Sequence, residues 1–322
     1  MRFARPPWLV LIILTGLVRA GASTPVVFNQ GWFPSAQFAG VYVALDAGLY
    51  AAAGLEVTVT PFAYGQDSTA LLQRDPDTAT LGSIEGYVLL QKLDRGDDLV
   101  AFAPMLRESP AGFMTLADSG ITSAAEFAGR PVGVHAYADA LFYWFCRNAG
   151  IAPEAVQLVR VEDDVSELLS GRVDAIQGYA SEEYVRLQTR AVPRETRFLS
   201  FAALGFASYS EILYTTREQA DRHAVVFAAF VTATREGWRR AFAEPELSVA
   251  AVARRAGAET AAERAHLAAA LTALRPYVMG SDGQPLPPMA AAKWRRAQQI
   301  ALEMELISRP PADPASWLWP LE

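Results

Sequence analysis

Cysteine and histidine are scarce in this 322-residue chain, and their scarcity excludes several classes of protein. The single cysteine, Cys146, cannot form an internal disulfide. The three histidines, His135, His223 and His266, are scattered and lack the spacing of zinc ligands. The chain also has no Gly-x-Ser-x-Gly sequence, which is the nucleophile motif of many serine hydrolases. We therefore expect no metal site, no disulfide framework, no catalytic triad and no bound cofactor.

Positive charge is scarce as well. The chain has 28 lysines and arginines against 35 aspartates and glutamates, which gives a net charge of −7. Residues 1–22 contain three of the arginines and no acidic residue, so the remaining chain has a net charge of −10. An acidic chain without basic clusters does not attract a phosphate backbone. Nucleic acid is therefore not an expected partner.

The first 22 residues have the pattern of an export signal. Arg2 and Arg5 precede a short apolar run from Trp8 to Val18, and the small residues Ala20–Ala22 follow it. This run is shorter than the roughly 20 residues that a membrane-spanning helix requires. An uncleaved membrane anchor is the alternative interpretation. We expect a signal peptide at residues 1–22, cleavage near Ala22 and a periplasmic mature protein.

Short apolar runs alternate with amphipathic stretches through most of the chain. Such an order predicts an α/β fold with mostly parallel sheets covered by helices. Two units follow each other. The pattern then predicts an amphipathic helix from residue 217 to 243 and further helical segments to about residue 306. A proline- and tryptophan-rich tail follows, which we expect to be extended and packed by its aromatic residues. The predicted strands are 26–29, 55–62, 78–82 and 98–105 in the first unit, 111–117, 130–136, 156–161, 173–179 and 196–201 in the second, and 210–216 before the helical region.

Aromatic and acidic residues recur near the ends of these strands. Ligands of open α/β sheets bind at the carboxyl ends of the strands. Aromatic rings there can stack on a flat ligand, and carboxylates can accept hydrogen bonds from its N–H groups. The expected ligand-binding residues are Trp32, Gln37, Phe38, Tyr42, Gln66, Asp67, Ser83, Glu85, Tyr137, Tyr179, Glu183 and Tyr209.

Each of these residues also has a structural interpretation. A single aromatic residue in a loop often covers a hydrophobic core. Glu182 and Glu183 are typical of a helix N-terminus, where the helix dipole favours negative charge. The sequence Gln66-Asp67-Ser68 could be a helix cap. Their coincidence at strand ends favours a binding site.

Several segments resemble a known family. They are "WFPSAQFAGVYVALDAGLYAAAGLEVTV" (32–59), "SPAGFMTLADSGITSAAEFAGRPVGV" (109–134), "LLSGRVDAIQGY" (168–179) and "YSEILYTT" (209–216). Together they resemble the periplasmic substrate-binding proteins of ABC transporters in the thiamine-pyrimidine-synthase-like (SsuA/NMT-type) family, over residues 26–245. The resemblance implies a type II periplasmic-binding-protein fold. One lobe would comprise residues 25–108 and 207–322, the other 109–206, with a hinge between them.

The resemblance also implies the function and the partners. Trp32, Gln37, Phe38 and Tyr42 would line one wall of the cleft between the lobes. Relatives bind thiamine pyrimidine precursors, riboflavin, alkanesulfonates or nitrate, and binders of anions favour Arg or Lys at the strand ends. The carboxylates of this sequence instead favour a neutral or amine-bearing heterocycle, such as hydroxymethylpyrimidine or formylaminopyrimidine, facing Glu183. The partners would be an ABC permease and ATPase, with the binding protein itself a monomer.

Two functions other than that of a transport binding protein are possible for this family. Some members of the family synthesise the thiamine pyrimidine with a lysine, a histidine and a cysteine-rich iron motif. Here Ile84, Glu85 and Val88 occupy the segment where that lysine and histidine would fall, and the cysteine motif is absent. We therefore expect no enzymatic activity. A sensory module that delivers its ligand to a receptor remains an open alternative.

Overall fold

In a computed structural model, the described residues form two five-stranded sheets with helices on both faces. The structure describes residues 23–136, 138–162, 165–280, 282–309 and 314–320. The strands are β1 (Thr24–Asn29), β2 (Leu55–Thr60), β3 (Ala79–Ile84), β4 (Leu99–Leu106), β5 (Ala111–Leu116), β6 (Pro131–Val134), β7 (Gln157–Arg160), β8 (Ala175–Tyr179), β9 (Thr196–Ser200) and β10 (Ser210–Thr216).

Eleven α-helices are found in the described part of the chain. They are α1 (Ala39–Asp46), α2 (Leu49–Ala52), α3 (Ser68–Leu72), α4 (Gly86–Asp94), α5 (Asp139–Asn148), α6 (Ser166–Leu169), α7 (Glu183–Arg190), α8 (Arg217–Ala243), α9 (Pro245–Ala256), α10 (Ala261–Val278) and α11 (Ala291–Glu303). Short 3-10 helices occur at Ala36–Phe38, Ala117–Ser119, Ala124–Phe127, Pro153–Ala155 and Pro314–Trp317.

The two sheets have the same topology. The first has the order β2-β1-β3-β10-β4 and the second β7-β6-β8-β5-β9. In each sheet one strand is antiparallel to its neighbours: β10 beside β3 and β4, and β5 beside β8 and β9. The other described pairs, such as β1 with β2, are parallel. The predicted α/β class with mostly parallel sheets is confirmed.

Local sequence signals explain where several helices begin. Thr216 precedes α8, and its side chain accepts a hydrogen bond from the backbone N–H of Gln219. Thr260 and Glu263 form a capping box at the start of α10. The 27 residues of α8 coincide with the helix predicted from residue 217 to 243.

Hydrophobic side chains of the surrounding helices pack against each sheet. Buried side chains of α1, α8, α9 and α10 pack on one face of the first sheet, and those of α4 and α11 pack on its other face. The core of the second sheet is rich in aromatic rings, with Phe113 in contact with Phe127, Phe145 and Phe201. These cores hold the strands rigidly, so the strand ends can present side chains in fixed positions.

The chain passes between the sheets twice, from β4 to β5 and from β9 to β10. The lobe boundaries at 108/109 and 206/207 remain predictions. The C-terminal helix α11 contacts both sheets: Trp294 packs in the core beside α4, whereas Ile300 and Met304 pack in the aromatic core of the second sheet. The indole N–H of Trp144 donates to Glu303 at 2.8 Å on the same side. The helix α11 therefore ties the two sheets together.

The described residues of the tail after α11 pack through aromatic side chains, as its sequence predicts. Leu318 forms a parallel bridge with Ala101 of the edge strand β4, and the N–H of Trp319 donates to the carbonyl of Ala101 at 2.8 Å. Trp317 and Leu318 cover the core beside α4. Among the described residues no helix is long and apolar enough to span a membrane. The predicted signal peptide lies outside the described residues.

Candidate ligand-binding site

The ends of strands from the two sheets meet directly. Glu85 follows β3 at the start of α4, and Tyr179 ends β8. The hydroxyl of Tyr179 donates a hydrogen bond to Oε1 of Glu85 at 2.9 Å. The partners are 94 residues apart in the sequence. This contact defines a site between the sheets, at the edge where β3 and β8 end.

A second carboxylate lies beside Glu85. Glu211, near the start of the antiparallel strand β10, is only 3% exposed. Ser83 donates to its carboxylate, but Oε2 of Glu211 has no hydrogen-bond partner among the described residues. Burial and the neighbouring Glu85 raise the pKa of Glu211 to about 8. The site therefore contains a buried acceptor to which no described residue donates a hydrogen bond.

The backbone at Glu211 has an uncommon conformation. Its φ is +49°, in the left-handed region that residues other than glycine rarely occupy. Such a conformation costs on the order of 1 kcal/mol and persists only where the surrounding structure imposes it. The chain reaches β10 here from the second sheet, and the unusual φ sets the direction in which the side chain of Glu211 leaves the strand.

Hydrogen bonds fix the neighbouring loop after β1. The side chain of Gln30 donates to the carbonyl of Trp32 and accepts from the hydroxyl of Tyr42. The N–H of Gly31 donates to Oγ of Ser83 at 3.0 Å. A Cβ at Gly31 would lie 2.3 Å from the carbonyl oxygen of Ser83, so only glycine fits. The loop after β1 is thereby held against the end of β3.

Four aromatic rings form a cluster at the ends of β1 and β2. Trp32, Phe33, Phe62 and Tyr64 lie with ring centroids 5.2 to 6.1 Å apart in every pair. Phe33 is 41% exposed and Tyr64 is 72% exposed. Trp32 is therefore held among other rings rather than projecting alone, and the cluster borders the loop that contacts Ser83.

The second sheet contributes polar groups after β8. Oε2 of Glu183 accepts a hydrogen bond from the backbone N–H of Tyr179 at 2.7 Å, and burial raises the pKa of Glu183. The hydroxyl of Ser181 is buried without a partner among the described residues. Glu182 contacts His266 of α10, with its Oε2 3.1 Å from Nε2 of the histidine. This last contact joins a helix of the first sheet to the second.

We expect the His266–Glu182 contact to stabilise the arrangement of the two sheets in this structure. His266→Ala should weaken ligand binding about fivefold, since a hydrogen bond to a partly buried carboxylate contributes on the order of 1 kcal/mol. Isothermal titration measures the affinity. His223→Ala is the matched control, because Nε2 of His223 meets the carbonyl of Pro76 on the first sheet's own side at 3.0 Å. Equal affinities of the two variants would contradict a role for the contact in ligand binding.

The structure brings some of the twelve predicted residues together. Ser83, Glu85, Tyr179 and Glu183 lie at the junction of the sheets, linked through the Tyr179 hydrogen bonds and through the Glu85–Glu211 pair. Trp32 and Tyr42 adjoin them through Gln30. Gln37 is buried at the start of the helical segment after β1, at 2% exposure.

Other predicted residues have structural roles. Phe38 is completely buried and packs against the rings of Phe28 and Tyr42. Asp67 is exposed and caps α3 by accepting hydrogen bonds from the N–H groups of Thr69 and Ala70, so it has the helix-capping role that its sequence context also predicts. Gln66 precedes it in the same loop. Ligand contacts by these residues stay predictions.

Tyr209 and Tyr137 complete the set. The hydroxyl of Tyr209 accepts a hydrogen bond from the N–H of Ala290 at 2.9 Å, and Nζ of Lys293 lies 4.5 Å from its ring centroid. Tyr209 therefore contacts the C-terminal segment. Tyr137 lies outside the described residues.

The expected set omits three residues of the site: Gln30, Ser210 and Glu211. The sequence places Ser210 and Glu211 at the start of a strand, beside the expected Tyr209. Their proximity to Glu85 depends on β10 lying antiparallel next to β3, which pairs Ile212 with Ile84. Gln30 directly follows β1, so attention to the first residue after each strand would have found it.

The single cysteine is not suited to act as a nucleophile. Cys146 is fully buried in the aromatic core of the second sheet. Burial raises the pKa of its thiol to about 11. A thiol in this state supplies almost no thiolate at neutral pH, and thiolate is the reactive form.

Comparisons with known proteins agree with this architecture. SsuA from Escherichia coli, a periplasmic aliphatic sulphonate-binding protein, has a TM-score of 0.72 at 16% identity, and the match covers 93% of this chain and 98% of SsuA. The desulfurization enzyme DSZB has a TM-score of 0.63 at 19% identity, with 92% and 96% covered. A Candida albicans protein described as having the generic periplasmic binding protein fold gives 0.57 at 9% identity, with 92% and 96% covered. The predicted periplasmic-binding-protein fold is confirmed.

Sequence comparisons identify the family. A formylaminopyrimidine-binding protein from Halalkalibacterium halodurans is 24% identical over 220 residues, which cover 67% of this chain and 66% of that relative's length. Residues 35–248 match the family model described as NMT1/THI5 like. Because this match spans more than half of the chain, the protein belongs to the NMT1/THI5-like family.

Proposed function

We propose that this protein is the extracytoplasmic solute-binding component of an ABC importer and that it binds a small amine-bearing heterocycle between its two sheets. A thiamine pyrimidine precursor, hydroxymethylpyrimidine or formylaminopyrimidine, is the proposed ligand. The observation that carries the proposal is the buried Oε2 of Glu211 beside Glu85, to which none of the described residues donates a hydrogen bond. A buried acceptor without a partner is costly, and an N–H group of a ligand would satisfy it.

The surrounding groups suit such a ligand. Glu85, Glu211 and Glu183 are acceptors when ionised, and Tyr179 and the cluster around Trp32 provide aromatic surface. The name of the Halalkalibacterium halodurans relative states that it binds formylaminopyrimidine. Import through a permease, a periplasmic location and a monomeric state are part of the same proposal, as is the boundary of the signal peptide near Ala22.

A sulfonate is the competing ligand, since SsuA and this protein share a fold. An anion placed beside Glu85 and Glu211 would meet two acidic side chains rather than the Arg or Lys donors that suit sulfonate oxygens. DSZB, which shares this fold, is an enzyme. The buried thiol of Cys146, with its raised pKa, does not supply this protein with a nucleophile. We therefore propose binding and not catalysis. The alternative is that the protein delivers the same ligand to a sensory receptor. Identifying the membrane protein that binds the ligand-bound form distinguishes a receptor from a permease.

A thermal-shift screen of residues 23–322 tests the proposal. We expect hydroxymethylpyrimidine or formylaminopyrimidine to raise the melting temperature by several degrees, because a ligand at 100 times its Kd adds about 2.7 kcal/mol of stability. Taurine, longer alkanesulfonates, nitrate and riboflavin should give no shift. Glu183→Ala should abolish the shift, whereas Glu154→Gln, an exposed glutamate of the second sheet's side, should retain it. A shift with a sulfonate alone would overturn the proposed ligand class.

A further inference from the structure

We infer that Glu211 and Glu85 share one proton in the empty site and that the ligand is a heterocycle with a basic ring nitrogen, which takes up this proton and is held as a cation. The inference rests on the proposed function and adds the charge state of the ligand and the residue that sets it. Glu211 is the specificity-determining residue in this interpretation, and Glu85 is the positioning residue that keeps Glu211 protonated.

The hydrogen bonds assign the proton to Glu211. Oε1 of Glu85 accepts from two hydroxyls, those of Tyr179 and Ser210. Glu211 accepts from the hydroxyl of Ser83, and its Oε2 has no partner in the described part of the chain. Donors to a carboxylate stabilise its ionised form. Glu85 is therefore the better stabilised anion, and the proton stays on Glu211, whose raised pKa agrees with this assignment.

Among the described residues, none forms a salt bridge with Glu85 or Glu211. Tyr42, Tyr179 and Tyr214 all interact electrostatically with Glu211, and Tyr87 with Tyr179. Burial raises the pKa of Tyr42, Tyr179 and Tyr214, so these phenols are neutral at neutral pH.

The charged groups around this pair have partners of their own: Arg186 lies 3.7 Å from Glu182 and 3.8 Å from Glu183. Arg255 lies over the Tyr42 ring, 4.7 Å from its centroid, and is bonded to Asp46 at 2.8 Å. Glu183 accepts from the backbone N–H of Tyr179. Two like charges side by side in a buried site cannot both ionise without a counter-ion. A cationic ligand would be that counter-ion.

The proton balance follows from this arrangement. A neutral heterocycle enters, the proton passes from Oε2 of Glu211 to the ring nitrogen, and the new N–H donates back to the same oxygen. No proton is exchanged with the solvent. After the transfer the ligand carries one positive charge, and Glu85 and Glu211 each carry a negative charge. Affinity should therefore be constant with pH while the free ligand is neutral and Glu211 is protonated. Above about pH 8, where Glu211 ionises, affinity should fall about tenfold per pH unit.

Hydroxymethylpyrimidine is the probe, and the matching pyrimidine with an oxo group in place of the amino group is the control, because it is far less basic. We expect the ultraviolet spectrum of the bound probe to be that of its protonated form at pH 7. Calorimetry in two buffers of different ionisation enthalpy should show no net proton exchange. Glu211→Gln, which keeps the size of the side chain, should weaken probe binding at least 100-fold and should leave the weak binding of the control pyrimidine within threefold.

A second measurement needs no ligand. The infrared carbonyl band of a protonated carboxyl group should be present in the empty protein at pH 7, should disappear as the pH passes 8, and should be absent in Glu211→Gln. Absence of this band in the wild-type protein, or a neutral spectrum of the bound probe, would overturn the inference and leave the proposed function standing. Failure of every pyrimidine to bind, with the band present, would overturn the proposed ligand while the shared proton stands.

Discussion

The ligand-free protein should lose stability as the pH rises from 5 to 8, in contrast to proteins whose buried carboxylates are paired. The pKa of Glu211 is raised to about 8 from an ordinary value of 4.5. Between these values the folded protein keeps a proton that the unfolded chain releases, so unfolding releases a proton and becomes more favourable with rising pH. The stability that this proton confers is complete below pH 4.5 and is lost by about pH 8.

The expected loss for Glu211 is on the order of 4 kcal/mol across this range. Burial also raises the pKa of Glu85 and of Glu183, and both act in the same direction. Carboxyl groups with lowered pKa values, such as those of Asp46 and Glu303, have the opposite sign, but they act below about pH 4.5 and do not offset the effect. Differential scanning calorimetry at pH 5, 6, 7 and 8 measures it.

The variant Glu211→Gln isolates the contribution of this side chain. Its melting temperature should fall less from pH 5 to 8 than that of the wild-type protein and should exceed it by about 5 to 10 °C at pH 8, because position 211 then gains no buried charge. Glu154→Gln, which alters an exposed glutamate, should follow the wild-type curve. A wild-type melting temperature that rises toward pH 8 would show that Glu211 is ionised in the folded protein.

Gly237→Val should destabilise the protein by more than 4 kcal/mol, or prevent folding. Helices α1 and α8 cross closely at this glycine. A Cβ at Gly237 would lie 2.1 Å from the carbonyl oxygen of Gly40 and 2.9 Å from the Cβ of Ala44. Backbone contacts of this kind cannot be relieved by a side-chain rotation, so the helices must separate and open the core around Trp238.

Chemical denaturation measures the effect of the glycine substitution. Thr232→Val on the same helix is the control, since Thr232 is exposed and a surface substitution changes stability by about 0.5 kcal/mol or less. Gly237→Ala should be intermediate. A midpoint for Gly237→Val close to that of the control would mean that α1 and α8 pack less tightly than the structure shows. Ligand affinity should also fall in Gly237→Val. A displaced α1 would move Tyr42, whose hydroxyl donates a hydrogen bond to Gln30 in the loop after β1.

Local patterns in the sequence determined the elements of this fold. Period-two alternation in "LEVTVT" and the helical pattern of residues 217–243 predicted β2 and α8 with bounds close to those found, because both depend on contacts within a few residues. The alternation of strands and helices determined the α/β class. The capping role of Asp67 could also be predicted from the local sequence, because a helix cap depends only on the next three residues.

Only the tertiary structure decided which strand ends form the site. Glu85 meets Tyr179 from 94 residues away, and Glu211 joins them because β10 lies between β3 and β4. Strand order and the positive φ of Glu211 arise from the packing of the whole sheet, so the sequence of a short segment does not determine them. Phe38 was an expected ligand contact at the same strand end as Trp32, yet it faces the core, while Trp32 stands in the partly exposed ring cluster. Burial of a side chain depends on which helix covers it, and that is a property of the assembled sheets rather than of the sequence around it.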